Sequence, residues 1–222
     1  LVSGCAADDV CDIISHSAFE LNAQTFTGTT TMDVVDVDGA ANFAADVTFA
    51  DGADIITASA GSQNLRLGEN AGDSILANGN FNVFGGYDAG TANTIGDENV
   101  AIGHAALAAN VAGSKSTAIG QGALNAQNKA SDAAGDQHNT AVGYHAGVAV
   151  SVAVDNTLIG SIAGDSLNSG GNNTAVGKQA LSADTKGGTA VAIGQLALGA
   201  QNFTDPMDNY NVAIGYSAGV AI

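Results

Sequence analysis

Between residues 68 and 218 nine glycines at near-regular spacing are each followed, three residues on, by an alanine, and no other feature limits the fold so tightly. The glycines are Gly68, Gly86, Gly103, Gly120, Gly143, Gly160, Gly177, Gly194 and Gly215, and the alanines run from Ala71 to Ala218. Successive glycines are 18, 17, 17, 23, 17, 17, 17 and 21 residues apart, which describes a 17-residue unit with two insertions. Other columns are kept around the same anchor. Leu, Ile or Val precedes it in eight of nine copies, and Asn stands four residues before it in seven. In "NTAVGYHAG", residues 139–147, these columns are Asn139, Val142, Gly143 and Ala146.

A second period lies on the first. The residue after the fixed alanine reads Gly, Gly, Leu, Leu, Gly, Gly, Leu, Leu, Gly, so the larger unit is four coils. "GQGALNAQN" at 120–128 matches "GQLALGAQN" at 194–202, and both lead into the insertions, 129–137 and 203–209.

Seventeen residues are too few for a repeat of two helices, which needs 33 or more. Triplets such as "VAI", "TAV" and "TLI" are β-prone and are bounded by Gly and Asn, the residues of tight turns. The expected fold is therefore all-β, a parallel β-solenoid of nine coils over residues 62–222, each coil about 4.8 Å above the last. Alternation puts Val100 and Ile102 on one face and Ala101 on the other. Val142 is assigned to the core, Asn139 to a ladder bonding rung to rung, and Gly143, Gly160, Gly177, Gly194 and Gly215 to turns. Ala146 marks a close approach, either to the opposite wall of the coil or to a sister chain.

Residues 25–61 alternate differently. Phe26, Thr30, Met32 and Val34, then Phe43, Ala45, Val47 and Phe49, carry the period of half-buried strands, so this segment reads as a β-rich connector. Residues 1–24 form an N-terminal segment in which 8–21 has the spacing of a short helix. Cys5 and Cys11 either close a small loop, link neighbouring chains or stay free, and "LVSGC" also looks like the end of a lipoprotein signal with Cys5 lipidated.

"NVAIG" and "STAIG" closely resemble the repeats of trimeric autotransporter adhesin heads, and "NTAVGYxAG" looks like repeats of phage tail and head fibres. The resemblance covers about residues 62–222. It implies a left-handed parallel β-roll, an intertwined homotrimer as the stable unit, and a structural or adhesive role. Residues 25–61 likewise resemble the short β-segments of phage fibre shafts. The coils here are longer than those typical of the adhesins.

The composition argues against most chemistry. Five Lys and Arg face 22 Asp and Glu, a net charge of −17, so nucleic acid and anionic membranes should repel the chain. His16, His104, His138 and His145 have neither metal-ligand nor catalytic spacing. "DVDG" at Asp36–Gly39 echoes a calcium loop without the Glu such a loop needs, and reads better as an acidic turn. The expectation is a protein without cofactor or catalytic site. A polysaccharide-degrading tailspike is the enzymatic alternative, disfavoured by an aromatic content of 5%.

Any specificity is expected where the repeat is interrupted, because a regular scaffold holds such loops in place. Asp132 and Asp136 lie in the first insertion; Phe203, Asp205 and Asp208 lie in the second, with Tyr210 beside it. The predicted role is a trimeric fibre segment on a virion, with a bacterial cell-surface adhesin as the alternative. Its partners would be its own copies, a host-surface glycan or protein, and other virion or surface proteins at the N-terminus.

Overall fold

A computed structural model of the chain describes residues 60–128 and 135–220. Asp132, both cysteines, the Asp36–Gly39 turn and nearly all of the proposed connector lie outside the described residues.

The described residues are all-β, with no helix. The strands in chain order are β1 (Leu65–Leu67), β2 (Val83–Gly85), β3 (Val100–Ile102), β4 (Gly113–Ser114), β5 (Thr117–Ile119), β6 (Gly135–Asp136) and β7 (Thr140–Val142). They continue as β8 (Thr157–Ile159), β9 (Thr174–Val176), β10 (Gly187–Gly188), β11 (Val191–Ile193), β12 (Met207–Asp208) and β13 (Val212–Ile214). Nine of them make one parallel sheet in the order β1-β2-β3-β5-β7-β8-β9-β11-β13. Equivalent repeat positions always pair, for example Ala101 with Ala118 and Ile102 with Ile119. A parallel sheet of consecutive coils in this register is a β-solenoid, with about eight turns between first and last strand. The ends of the insertions rejoin it as small parallel pairs, β4 with β6 and β10 with β12.

The strand triplet faces the opposite way from the one assigned to Val142. The middle residue is the buried one (Ala101, Ala118, Ala141, Leu158, Ala175, Ala192), while Val142 and its column mates look outward. The coil is too narrow for two branched side chains per strand. Only the single inward position fits, and mostly as Ala. The alanine three after each anchor is also inside: Ala146 and Ala163 are fully buried in the chain's own core.

The four-coil period has a volume explanation. Two further inward positions lie four and seven residues after the anchor. Where the first is Gly147 or Gly164, the second is Val150 or Leu167; where it is Leu107, Leu124, Leu181 or Leu198, the second is Asn110, Gln127, Asp184 or Gln201. In the coils of Gly90 and Gly164 a larger strand residue, Phe84 or Leu158, fills the space. A Cβ on Gly90 would lie 2.6 Å from the Phe84 ring, and one on Gly164 2.8 Å from Leu158. Interiors packed to crystal density leave no freedom to change one of these without another.

Each coil also bends at four places with positive φ: five before the anchor, at the anchor, and two and four after it. At the anchor φ lies between 123° and 138°, a region open to glycine alone. The other three positions fall near φ 50–60° and accept non-glycine residues at a cost of roughly 1 kcal/mol each. Ala105, at φ 55°, is one of them. Ala105→Gly is expected to raise stability by about 1 kcal/mol, read as an upward shift of the urea midpoint, since Gly122 occupies the same column already. A lowered midpoint would show that the strain is absent.

Asn side chains satisfy the backbone at one corner. Asn156 Oδ1 accepts the Asn173 N–H at 3.0 Å, and its Nδ2 donates to Gly170 O at 3.1 Å and to Asn139 Oδ1 at 3.1 Å. The ladder is thus mainly amide to backbone, with some amide-to-amide bonds. Where it breaks, at Ser116 and Ala190, a glutamine from the opposite wall takes over: Asn139 donates to Gln127 Oε1 at 3.0 Å and Asn211 to Gln201 Oε1 at 2.7 Å.

Candidate functional site

Three surfaces stand out from the regular solenoid. The first is the outer face of the nine-stranded sheet. Its two outward columns carry Val100, Ile102, Ile119, Val142, Ile159, Val176, Val191 and Ile193, with threonines on four consecutive rungs of one column, Thr117, Thr140, Thr157 and Thr174. Ile102 is 44% exposed and Ile159 38%. Nine rungs at about 4.8 Å make this an aliphatic stripe roughly 40 Å long. Soluble monomers seldom leave a contiguous apolar surface of that extent in water.

The second surface is the edge near the first insertion. Lys115 Nζ donates to Asp136 Oδ2 at 2.8 Å, and this bond, with the carboxylate's charge, raises the Lys115 pKa above its ordinary value. His138 sits between two rungs, Nδ1 3.4 Å from Asp155 Oδ1 and Nε2 3.7 Å from Asp136 Oδ2. All four side chains are 40–50% exposed, so the ladder is solvated. Lys115, His138 and Asp155 occupy one repeat column, five residues before successive anchors, so stacking in register aligns them, and the returning end of the first insertion adds Asp136. His104 stacks on Tyr87 with ring centroids 5.6 Å apart, and His145 on Tyr144 at 4.0 Å. Among the described residues no group of three or more His, Cys, Asp or Glu could hold a metal ion.

The third is the second insertion, which is anchored more firmly than a free loop. Asp184 is fully buried and accepts four hydrogen bonds: Gly187 N–H at 2.8 Å, Gln201 Nε2 at 2.7 Å, Phe203 N–H at 3.2 Å and Lys186 N–H at 3.3 Å. Phe203 O in turn accepts from Lys186 N–H and from Thr185 Oγ1. Phe203 is thereby half-buried and held in place, while Asp205 and Asp208 are exposed and Tyr210 is 72% exposed. Beneath the loop, between β10–β12 and the preceding coil, lies a cleft of about 290 Å³ lined by Gly170, Gly171, Lys186, Pro206, Met207 and Asp208.

The structure brings Phe203, Asp208 and Tyr210 to one edge and leaves Asp136 four rungs away, about 19 Å along the axis. Asp165, on the turn after Gly160, is a further feature that sequence reasoning missed, a half-buried residue with a shielded Oδ1. Burial raises its carboxyl above the usual range, and Oδ1 has no hydrogen-bond partner.

No family model, no curated protein and no solved structure matches the chain.

Proposed function

We propose that the chain is a segment of a structural or adhesive fibre, a left-handed β-roll that works as a homotrimer on a virion surface. The carrying observation is the aliphatic outer face of the nine-stranded sheet. Burying one half-exposed isoleucine is worth on the order of 1 kcal/mol, and the stripe presents such a residue on most rungs. A second copy suits the stripe well, because both have the same rung spacing and their branched side chains can interdigitate in step. The number three and the handedness come from the likeness of "NVAIG" and "STAIG" to trimeric adhesin heads, and the virion setting from the likeness of "NTAVGYxAG" and of residues 25–61 to phage fibres. A net charge of −17 favours association through this uncharged face and opposes it through the acidic edges.

The expected solution mass is three times 21.7 kDa by sedimentation equilibrium. Ile159→Asp, which places a charge at the middle of the stripe, should lower that mass or drive the protein into aggregates. A folded wild-type monomer at micromolar concentration would overturn the proposal. Carriage on a bacterial cell surface remains the second reading, and it makes the same prediction for mass.

A further inference from the structure

The cleft under the second insertion has the makings of a binding site, and the reason lies in a broken column. Six residues before the anchor, the side chains of the second, third and fourth coils each cap the backbone of the coil before. Ser62 N–H donates to Asn80 Oδ1 at 2.8 Å, Asn80 N–H to Asp97 Oδ1 at 2.7 Å, and Asp97 N–H to Ser114 Oγ at 3.0 Å. In the cleft this column holds Gly171 and then Gly188, so nothing caps the Gly171 N–H, which has no acceptor among the described residues. Neither glycine is needed for a positive φ. The two missing side chains leave bare backbone as the floor of the cleft.

Lys186 lies on the same cleft, and its ammonium pairs with no carboxylate among the described residues, unlike that of Lys115. An uncapped N–H and an unpaired ammonium together call for a carboxylate, which would receive two charge-assisted hydrogen bonds. Asp208 lines the cleft too and repels any anion that fills it. A fitting ligand therefore carries its negative charge at one end and hydroxyl donors at the other. Pro206 and Met207 add an apolar edge against which ring C–H groups can pack. The volume is at the small end for ligand sites, enough for one sugar unit of a longer chain that continues into solvent.

We propose that the cleft bounded by Gly171, Lys186, Gly188 and Asp208 binds a sugar acid, its carboxylate on Lys186 and the Gly171 N–H, its hydroxyls on Asp208. The site lies within one protomer, so it stands or falls separately from trimer formation.

The test is a titration of the full chain, labelled with ¹⁵N, with sodium glucuronate at fixed ionic strength. The Gly171 and Gly188 amides should shift and saturate with a Kd on the order of 1 mM, as weak single-sugar contacts give. Lys186→Gln should weaken binding about tenfold, and Lys178→Gln, on another face, should leave it unchanged. Asp208→Ala should weaken glucuronate but strengthen acetate, because it removes a hydroxyl acceptor and a repelling charge together. The proposal is overturned if neither amide shifts, if Lys186→Gln binds as well as the native chain, or if acetate, sulfate or alanine binds as tightly as glucuronate.

Discussion

Gly160→Ala is expected to cost more than about 4 kcal/mol and to open the middle of the solenoid. At this anchor φ is +133°, and an added Cβ would stand 2.6 Å from both the carbonyl carbon and oxygen of Gly177. The conformational strain alone is roughly 1–3 kcal/mol. The clash adds to it, because the neighbour is backbone already bonded into the next rung and cannot swing away. Gly177 has the same relation to Gly194, and the stack offers no slack in either direction. Gly85→Ala supplies the contrast. Gly85 occupies an outward strand position, and its added Cβ would meet only Ile102 Cγ1 at 3.9 Å. Urea unfolding should show a large loss for the first variant and a change within about 0.5 kcal/mol for the second. Equal effects would mean that the anchor column is not held by backbone geometry.

Asn156→Leu should destabilise by about 4 kcal/mol, although leucine is larger and more apolar. The change strands the Asn173 N–H and the Gly170 carbonyl, both now satisfied by the one amide at 3.0 and 3.1 Å. Each unpaired buried group costs roughly 1–3 kcal/mol, more than the added apolar contact returns in a coil whose inward positions are already full. Hydrogen exchange should show the Asn173 amide losing protection before amides near Asn82. Unchanged protection there would dissociate the asparagine column from rung stability.

Much of this was legible in one dimension. A parallel solenoid leaves its period in the sequence because every coil repeats the same backbone path, so the Gly160 and Gly177 turns must recur at the same phase. The facing of the strand was not legible. Alternation says that Val142 and Ala141 look opposite ways but not which way is in; the coil's width decides that, and alternation carries no information about width. The compensation between Gly147 and Val150, or Leu181 and Asp184, was visible only as a four-coil rhythm until the shared interior gave it a volume. Phe203 read as a candidate in a partner-binding loop, and proves to be tied down by Asp184, a residue whose partners Gln201 and Phe203 lie 17 and 19 positions away in the chain.

By itself, then, the sequence determined the architecture: all-β, parallel, with anchor glycines at fixed phase and asparagines at a fixed corner. These follow from local rules, since a φ near 130° admits only glycine and a period of 17 admits only short strands and turns. The tertiary structure alone decided what the surface offers. Stacking turned scattered Val and Ile into one aliphatic face. Stacking in register turned one repeat column into the contact of Lys115, His138 and Asp155, and the end of the first insertion laid Asp136 beside it. Two glycines, Gly171 and Gly188, became the floor of a cleft because of what stands above and below them. Such juxtapositions depend on distances between rungs, and no rule of local chain conformation fixes those.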